Sequence, residues 1–287
     1  MVSGRTINLG VIGWPIAHSL SPAMQEAAIR AAGGDYSYIA MPVRPEDLPR
    51  AAEGLRCLNF RGFNVTIPHK TAIIEWLDEI DEDARRIGAV NTVVNENGRL
   101  LGRNTDVAGF LLGLSQKGIA VRGSRSVVLG AGGAARAVVW GLVREGAAGV
   151  VVAVRNAAKA KASLSDFDAH VEIISWDGDA FAEALKNADI LVNTTPLGMT
   201  PNLEDAPPVN WALVRREAFV YDIIYTPSRT RFLREAEARG CRVQSGAAML
   251  VGQGAEAFRL WTGIRPDEHA METALLEALG AGAEGKE

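Results

Sequence analysis

A glycine-rich turn that follows a short apolar run limits the folds open to this chain more than any other feature. Residues 126–130 predict a buried strand, and the glycines at 130, 132 and 133 lead directly into a predicted helix over residues 132–145. More strands are predicted after it, with helical stretches between them, at residues 150–154, 171–174, 190–193 and 219–222. Strands that alternate with helices in this way form a doubly wound parallel sheet.

The same turn has the context that a dinucleotide-binding site requires. Gly130 permits a tight turn, Gly132 lets the backbone approach a pyrophosphate, and Ala135 replaces the third glycine of the motif. The helix that begins here supplies N–H groups and a favourable field for the anion. A tight strand–helix turn without a ligand would use the same residue types, so the flanking strand and helix carry the prediction. We expect the cofactor to contact Gly130, Ala131, Gly132, Gly133 and Ala134.

The end of the next strand indicates which dinucleotide is bound. An NAD site has Asp or Glu there to bind the ribose hydroxyls, whereas this chain has Arg155 followed by Asn156, with Lys159 one turn later. The forked guanidinium of Arg155 can pair with a 2′-phosphate, which a carboxylate would repel. Arginine is also common at strand ends without any such role. With the glycines upstream, the pattern favours NADP over NAD.

The first hundred residues predict a second α/β unit with a mixed sheet. Ser21 and Pro22 predict a helix with serine as its N-cap and Gly33 as its stop. Asn97-Gly98 predicts a tight hairpin between residues 90–94 and 100–103, which adds antiparallel pairing. The other elements predicted here are strands at residues 7–13, 36–41 and 60–65 and a short helix at residues 45–55. A helix at residues 107–116 leads into the second unit, and two helices near residues 249–261 and 267–278 end the chain.

The segment from Gly62 to Lys70 concentrates polar side chains at the end of a predicted strand. Asn64, Thr66 and Lys70 would lie at the carboxyl end of that strand, where open α/β sheets bind ligands. Pro68 predicts a helix that begins there and places Lys70 near the positive end of its dipole. Such a field can lower a lysine pKa and suit proton transfer. Considered alone, the segment favours a solvated surface lysine, as most lysines are.

Two further groups of polar residues lie at predicted strand or helix ends. Ser19 and Ser21 precede a helix and could hold a carboxylate, although Ser21 before proline is also an ordinary N-cap. Asn91 and Asp106 bracket the hairpin, and Asp106 could cap the helix after it. A Lys70–Asp106 pair that reaches one substrate hydroxyl would form a suitable acid/base arrangement.

Composition excludes several classes of protein. The net charge of −4 over 287 residues, without a basic cluster, argues against non-specific nucleic-acid binding. Cys57 and Cys241 form neither a disulfide framework nor a zinc site. The apolar run at residues 7–12 is too short for a signal sequence or a membrane span, so we expect a cytoplasmic protein that does not act in a membrane.

Together these segments resemble those of the shikimate dehydrogenase family, in the same order and over residues 9–263. The matching segments are Ser19-Leu20-Ser21-Pro22, residues 64–70, residues 88–92, residues 104–106 with Gly109, residues 130–137, residues 193–199, Asp222 with Tyr225 and Pro227, and Gly252-Gln253 with Ala255 and Phe258. The resemblance implies three segments of an α/β fold. Residues 1–106 would form a mixed-sheet substrate-binding and catalytic domain, residues 107–245 a doubly wound Rossmann NADP-binding domain, and residues 246–287 helices that pack back on the first domain.

The resemblance also implies a reaction, the reversible NADP-linked oxidation of shikimate to 3-dehydroshikimate. In biosynthesis it would run as ketone reduction, on the route to chorismate and the aromatic amino acids. Ser19 and Ser21 would hold the substrate carboxylate with Tyr225 nearby, while Lys70 would be the acid/base group and Asp106 its partner. The residues implied at the ring hydroxyls are Thr66, Lys70, Asn91, Asp106 and Gln253. Those implied around the cofactor are residues 130–134, Arg155, Asn156, Lys159, Thr194, Met199, Ile223 and Gly246, with no metal ion. Both monomers and homodimers fit the resemblance.

The chain departs from the family pattern at two places. The phosphate-binding motif usually reads Asn-Arg-Thr, and here Val154 and Asn156 replace its outer members while Arg155 is kept. A His-Asn pair is replaced by Gln25-Glu26, on a helix that we expect to lie away from the ligand. Ser21 favours shikimate, since quinate-using relatives can carry threonine there. A paralogue that prefers quinate or an aminoshikimate, an enzyme that uses NAD, and a non-catalytic dinucleotide-binding protein are the alternatives.

Overall fold

The computed structural model describes residues 2–167 and 170–284 and divides into two compact units. The first unit comprises Met1–Thr105 with Val251–Glu287, and the second comprises Asp106–Leu250. The first unit's N-terminal segment ends at Thr105, one residue before the boundary predicted from the sequence. The second division falls inside a helix, at residue 251, five residues after the predicted boundary.

Strands and helices alternate along most of the chain. In chain order the strands are β1 (Ile7–Gly13), β2 (Tyr36–Pro42), β3 (Gly62–Val65), β4 (Glu79–Ile80), β5 (Thr92–Glu96), β6 (Arg99–Arg103), β7 (Arg125–Leu129), β8 (Gly149–Val154), β9 (Val171–Ser175), β10 (Ile190–Asn193), β11 (Phe219–Asp222) and β12 (Arg242–Gln244). The α-helices are α1 (Ser21–Ala32), α2 (Leu48–Cys57), α3 (Glu82–Ile87), α4 (Asp106–Gln116), α5 (Gly133–Arg144), α6 (Ala157–Leu164), α7 (Asp179–Asn187), α8 (Arg231–Arg239), α9 (Ala247–Thr262) and α10 (Glu268–Glu284). Short 3-10 helices cover Pro45–Asp47, Ala72–Trp76 and Ser165–Phe167.

The sheet of the first unit is mixed, as the sequence predicts. Its strand order is β2-β1-β3-β5-β6-β4, with β1 parallel to both neighbours and with β5 antiparallel to β3 and β6. The hairpin between β5 and β6 turns at Asn97 and Gly98, both with positive φ, which is the backbone that this dipeptide favours. Helix α10 packs against α1. The C-terminal segment therefore belongs to the first unit.

The second unit contains a parallel sheet with the strand order β9-β8-β7-β10-β11-β12. This is the order of a dinucleotide-binding doubly wound fold, and the predicted fold class is confirmed. Successive side chains of β7 enter different cores, since Val127 and Leu129 pack on one face and Val128 on the other. Strand β12 was not predicted, because its three residues contain no apolar run.

The helix predicted from Pro68 is absent. Residues 67–71 form turns, and the next helix is the 3-10 segment Ala72–Trp76. His69 O accepts from Ile73 N at 2.9 Å, as in a helix, but two other carbonyls of the turn bond to distant segments. Ile67 O accepts from Trp14 N at 3.0 Å, and Lys70 O accepts from Val90 N at 2.8 Å. In a helix these carbonyls would accept from N–H groups four residues later. The helix dipole invoked for Lys70 therefore does not exist.

The N-cap predicted for Ser21 is also wrong. Helix α1 has Leu20 as its N-cap, with a helical backbone and no capping side chain, and Ser21 is already inside the helix. Leu20 O accepts from Met24 N, so the first turn forms one residue earlier than proposed. The Ser21 hydroxyl is consequently not used in capping.

No helix within the described residues combines the length and the apolar character that crossing a bilayer requires.

Candidate active site

A network of buried polar side chains joins the carboxyl end of β3 to the start of β5. Asn64 donates through Nδ2 to the Asn91 carbonyl at 3.2 Å and to Thr92 Oγ1 at 3.0 Å. A backbone carbonyl can only accept, so this contact fixes which way the Asn64 amide points. Asn64 Oδ1 therefore faces Tyr38, whose hydroxyl donates to it at 2.7 Å. All these side chains are at most 6% exposed.

Asn91 is the junction of this network. Its Oδ1 accepts from Thr105 N at 2.8 Å, and its Nδ2 donates to Thr105 Oγ1 at 3.1 Å. Its backbone bonds to the ends of two neighbouring strands: Asn91 N donates to Arg103 O at the end of β6, and Asn91 O accepts from Val65 N at the end of β3. These bonds fix Thr105, and Asp106 is the next residue in the chain. Asn91 thus anchors the backbone on either side of the hairpin.

The segment that carries Thr66 and Lys70 is held on several sides. Thr66 N donates to Ile12 O at 3.0 Å, and Lys70 O accepts from Val90 N, one residue before Asn91. Between them His69 is completely buried, and its Nε2 lies 2.8 Å from Val43 O. The Lys70 and Thr66 side chains are half-buried. Lys70 therefore lies on an anchored turn at the carboxyl edge of the first sheet.

Helix α1 contributes to this edge through residues spaced one helical turn apart. Ser21 N donates to Ser19 Oγ at 3.4 Å, which brings the two predicted serines together. The Ser21 side chain also forms a hydrogen bond with the Tyr38 phenol, and this bond partly offsets the rise that burial causes in the pKa of that phenol. Gln25, on the same face, is completely buried and donates to the Gly254 carbonyl at 2.9 Å. That carbonyl adjoins Gln253, so Gln25 lies beside the segment that carries one of the predicted substrate residues.

Tyr38 is the residue of this site that sequence reasoning missed. Burial raises the pKa of its phenol well above the usual range, so the hydroxyl stays protonated and acts as a hydrogen-bond donor. Its backbone N–H donates to Glu26 Oε1 at 2.9 Å, which ties β2 to α1. The only sequence signal is an aromatic residue at an inward position of a strand, and such residues are usually core.

In the second unit the glycine turn lies at the point where the strand order reverses. Gly130 has φ +107°, and a β-carbon there would lie 2.8 Å from Thr194 Oγ1. Thr194 in turn donates to the Leu129 carbonyl through both its N–H and its hydroxyl, so the ends of β7 and β10 are joined. Helix α5 begins at Gly133, and a β-carbon at Gly132 or Gly133 would meet no heavy atom within 4 Å. This open space beside a helix N-terminus fits a dinucleotide pyrophosphate.

Arg155, Asn156 and Lys159 lie at the carboxyl end of β8, next to this turn. Gly130 N donates to Ala153 O at 3.1 Å, which places the end of β8 beside the glycines. Asn156 caps α6, with Oδ1 accepting from Lys159 N at 3.0 Å. The Arg155 and Lys159 side chains are exposed and form no hydrogen bond or ion pair with any other described residue. They are available to an anionic ligand.

The remaining predicted cofactor residues lie on the loops after β10, β11 and β12. Met199 is 46% exposed, an unusual fraction for a large apolar side chain. Ile223 lies against Gly246, where a β-carbon would be 2.0 Å from Ile223 O, so only glycine fits. Tyr225 is partly buried, and burial raises the pKa of its phenol.

The predicted site residues therefore fall into two sets. The first unit holds Ser19, Ser21, Thr66, Lys70, Asn91 and Gln253. The second holds Asp106, which is its first residue, with Tyr225 and all the residues predicted to contact the cofactor. Across the described residues, no group of three or more His, Cys, Asp or Glu side chains is arranged to hold a metal ion.

The Tyr38 hydroxyl should contribute measurably to stability. Tyr38→Phe leaves the buried Asn64 Oδ1 without its donor and should lower the free energy of unfolding by about 1–3 kcal/mol in urea titrations. Tyr36→Phe is the matched control, because Tyr36 lies on the same strand, makes an edge contact with Phe258 and is not part of the network. Equal effects of the two substitutions would contradict this account of the network.

Comparison with known proteins agrees with this architecture. Residues 11–93 match the shikimate dehydrogenase substrate-binding domain, residues 114–206 the shikimate/quinate 5-dehydrogenase domain, and residues 246–276 the shikimate 5′-dehydrogenase C-terminal domain. The NADP⁺ shikimate dehydrogenase of Moorella thermoacetica is 45% identical, over 99% of this chain and 97% of the relative.

Two solved structures extend the comparison. Shikimate 5-dehydrogenase from Thermus thermophilus, in complex with NADP(H) and shikimate, is 42% identical with a TM-score of 0.86, over 95% of this chain and all of that one. Quinate dehydrogenase from Corynebacterium glutamicum, in complex with NAD, is 32% identical with a TM-score of 0.88, over 95% of this chain and 99% of that one. By its family-model matches and its near-full-length similarity to these proteins, the chain belongs to the shikimate dehydrogenase family.

Proposed function

We propose that this protein catalyses the reversible NADP-dependent oxidation of shikimate to 3-dehydroshikimate. The observation that carries the proposal is the buried Asn64–Asn91–Thr105 network, which fixes the backbone at Lys70 and immediately before Asp106. The Thermus relative, in complex with NADP(H) and shikimate, supports this substrate and this cofactor. In the biosynthetic direction the reaction is reduction of the ketone, in the shikimate pathway.

The cofactor residues follow from the open glycine turn. Residues 130–134 would cradle the pyrophosphate, while Arg155 and Lys159 would pair with the 2′-phosphate and Asn156 would hold the adenosine end. The loops that carry Thr194, Met199, Ile223 and Gly246 would surround the nicotinamide half. When bound, the nicotinamide ring takes a hydride from the carbinol carbon or returns it to the ketone.

The substrate residues divide between its carboxylate and its hydroxyls. Ser19 and Ser21 would donate to the carboxylate, with Tyr225 close to it. Thr66, Asn91 and Gln253 would bind the ring hydroxyls and orient the reacting carbon. Because all of these groups are neutral, they orient the substrate without competing for its proton.

Lys70 is our candidate for the acid/base residue. As the substrate hydroxyl is oxidised, its proton would pass to the amine of Lys70, and in the reverse direction the ammonium would donate that proton to the developing alkoxide. Asp106 would share the reacting hydroxyl and stabilise the ammonium. In the oxidation, the carbinol carbon thus loses a hydride to NADP⁺ and the hydroxyl oxygen loses a proton to Lys70. These two acceptors account for the whole reaction.

One alternative keeps the chemistry and changes the substrate or the cofactor. The similarity to a quinate dehydrogenase in complex with NAD makes quinate and NAD the natural competitors. Arg155 favours NADP, and Ser21 favours shikimate over quinate.

We propose that the enzyme acts in the cytoplasm as a monomer or a homodimer.

A matrix of substrates and cofactors tests the proposed function. Shikimate with NADP⁺ should give the highest kcat/KM, measured by absorbance of the reduced cofactor, and quinate or NAD⁺ should lower it by about tenfold or more. No reaction with shikimate, quinate or an aminoshikimate would contradict the proposal. The highest value with quinate or NAD⁺ would favour the alternative.

Arg155→Asp should separate the two cofactors. The substitution removes a charge-assisted pairing and adds a repulsive charge, so kcat/KM for NADP⁺ should fall by about 100-fold, while that for NAD⁺ changes by less than about threefold. Arg122→Asp makes the same charge change at an exposed site near Gly146 and should affect neither value. Equal losses with both cofactors would refute the pairing with the 2′-phosphate.

A further inference from the structure

Asp222 is a completely buried carboxylate at the end of β11, and it is bound by donors from three segments. Asn193 Nδ2 and Ile224 N both donate to Oδ1 at 3.1 Å. The hydroxyl of Thr230 donates to Oδ2 at 2.6 Å. The side chain of Asp222 is thus the shared acceptor for the end of β10, the loop after β11 and the N-terminus of α8.

The network continues from Asp222 in both directions. Asn193 Oδ1 accepts from the N–H of Thr195 at 3.0 Å and from its hydroxyl at 2.7 Å, so the amide also holds the loop after β10. Thr230 caps α8 through Leu233 N. Its methyl group lies 3.7 Å from the position that a β-carbon would take at Gly198, directly before Met199.

Among the described residues, no cation compensates the burial of Asp222. Burial raises its pKa to about 6, and the opposing contributions all come from hydrogen bonds, donated by Thr230, Ile224 and Asn193. A buried carboxylate held only by neutral donors costs desolvation energy that an apolar residue would avoid. Its placement therefore indicates a role in holding particular backbone segments and not in maximising stability.

The segments held by Asp222 carry three of the four residues proposed for the nicotinamide half, and the fourth, Gly246, follows β12. Thr194 and Met199 lie on the loop after β10, and Ile223 directly follows Asp222. The two loops also bond to each other, since Ile223 N donates to Asn193 O at 3.1 Å and Thr200 N donates to Thr226 O at 3.3 Å. Asp222 itself bonds to none of the residues proposed for the other half, which are residues 130–134 and Arg155.

We infer that Asp222 is a positioning residue for the nicotinamide half of NADP, because its hydrogen bonds to Asn193, Ile224 and Thr230 hold two of the loops that would contact this half. The inference rests on the proposed function. It assigns to Asp222 no contact with the cofactor and no part in proton transfer.

Hydrogen-bond directions separate two substitutions at this position. Asparagine keeps an oxygen for Asn193 and Ile224, and its new amide group can donate to Thr230 Oγ1, so one bond reverses and none is lost. Alanine leaves all three donors without an acceptor. Asp222→Asn should therefore act as the conservative variant that rescues the loss.

The test uses two ligands, NADPH and 2′-phospho-ADP-ribose, which lacks the nicotinamide. Asp222→Ala should raise the Kd for NADPH, measured by fluorescence titration, about tenfold or more, and should leave the calorimetric Kd for the fragment within about threefold. Asp222→Asn should stay within about threefold of wild type for both ligands. If Asp222 served only to stabilise the fold, Asp222→Ala would raise the Kd for both ligands by the same factor.

Asp189→Ala is the matched control for lost stability. Asp189 directly precedes the amino end of β10, whereas Asp222 lies at the carboxyl end of the neighbouring strand β11. Asp189 accepts from Arg125 N at 2.8 Å. Its removal should lower the melting temperature without changing either Kd. If Asp222→Ala does not fold, Thr230→Val, which removes one of the three donors, should still raise the Kd for NADPH by about fivefold or more and leave the Kd for the fragment within about threefold.

The outcomes separate the inference from the proposed function. Wild-type protein that binds neither NADPH nor the fragment would overturn the proposed function. Wild-type binding of both ligands, with Asp222→Ala or Thr230→Val unchanged for NADPH or equally weakened for both, would overturn the inference alone.

Discussion

The hydrogen bonds of Asn91, made by its side-chain amide to Thr105 and by its backbone carbonyl to β3, are the interaction on which the first unit's candidate site depends. They join the end of β3, the beginning of β5 and the residues after β6 at one edge of the sheet. Lys70 is connected to this junction through Val90 N, and Asp106 follows Thr105 in the chain. A buried amide that loses its partners costs about 1–3 kcal/mol, so alternative arrangements of these loops are unfavourable. The network thereby converts sheet geometry into fixed positions for chemically useful side chains.

The second unit repeats the same physical device with different strands. Asn193 ends β10 as a buried amide, and its oxygen accepts from the N–H and the hydroxyl of Thr195, just as Asn91 accepts from Thr105. Thr194 then joins β10 to the glycine turn, and Asp222 joins it to the loop after β11. In each unit, a strand is followed by a short polar segment that forms hydrogen bonds with the ends of neighbouring strands. This explains why the predicted ligand residues cluster at carboxyl edges.

Much of this arrangement could be predicted from the sequence, because apolar runs and glycines report local structure directly. Strands β7 to β11, the Asn97-Gly98 hairpin and the glycine turn before α5 were all predicted, and the structure confirms them. The helix at Pro68 was wrong because Trp14 and Val90, distant in sequence, take the hydrogen bonds that a helix would need. Tyr38 and Gln25 were missed or set aside because their partners, Asn64 and Gly254, are evident only in the folded chain. Local patterns predict elements, whereas long-range hydrogen bonds decide how polar residues between them are used.

The central claim is that the anchored turn after β3 presents Lys70 as the acid/base group of a hydride-transfer reaction. It is tested most directly by Lys70→Ala, with shikimate binding measured by calorimetry and turnover measured with NADP⁺. We expect kcat to fall by about 10³-fold, while the Kd for shikimate changes by less than about tenfold, since the other proposed substrate residues remain. Turnover within a few-fold of wild type would contradict the claim. So would a loss of turnover fully accounted for by lost shikimate binding.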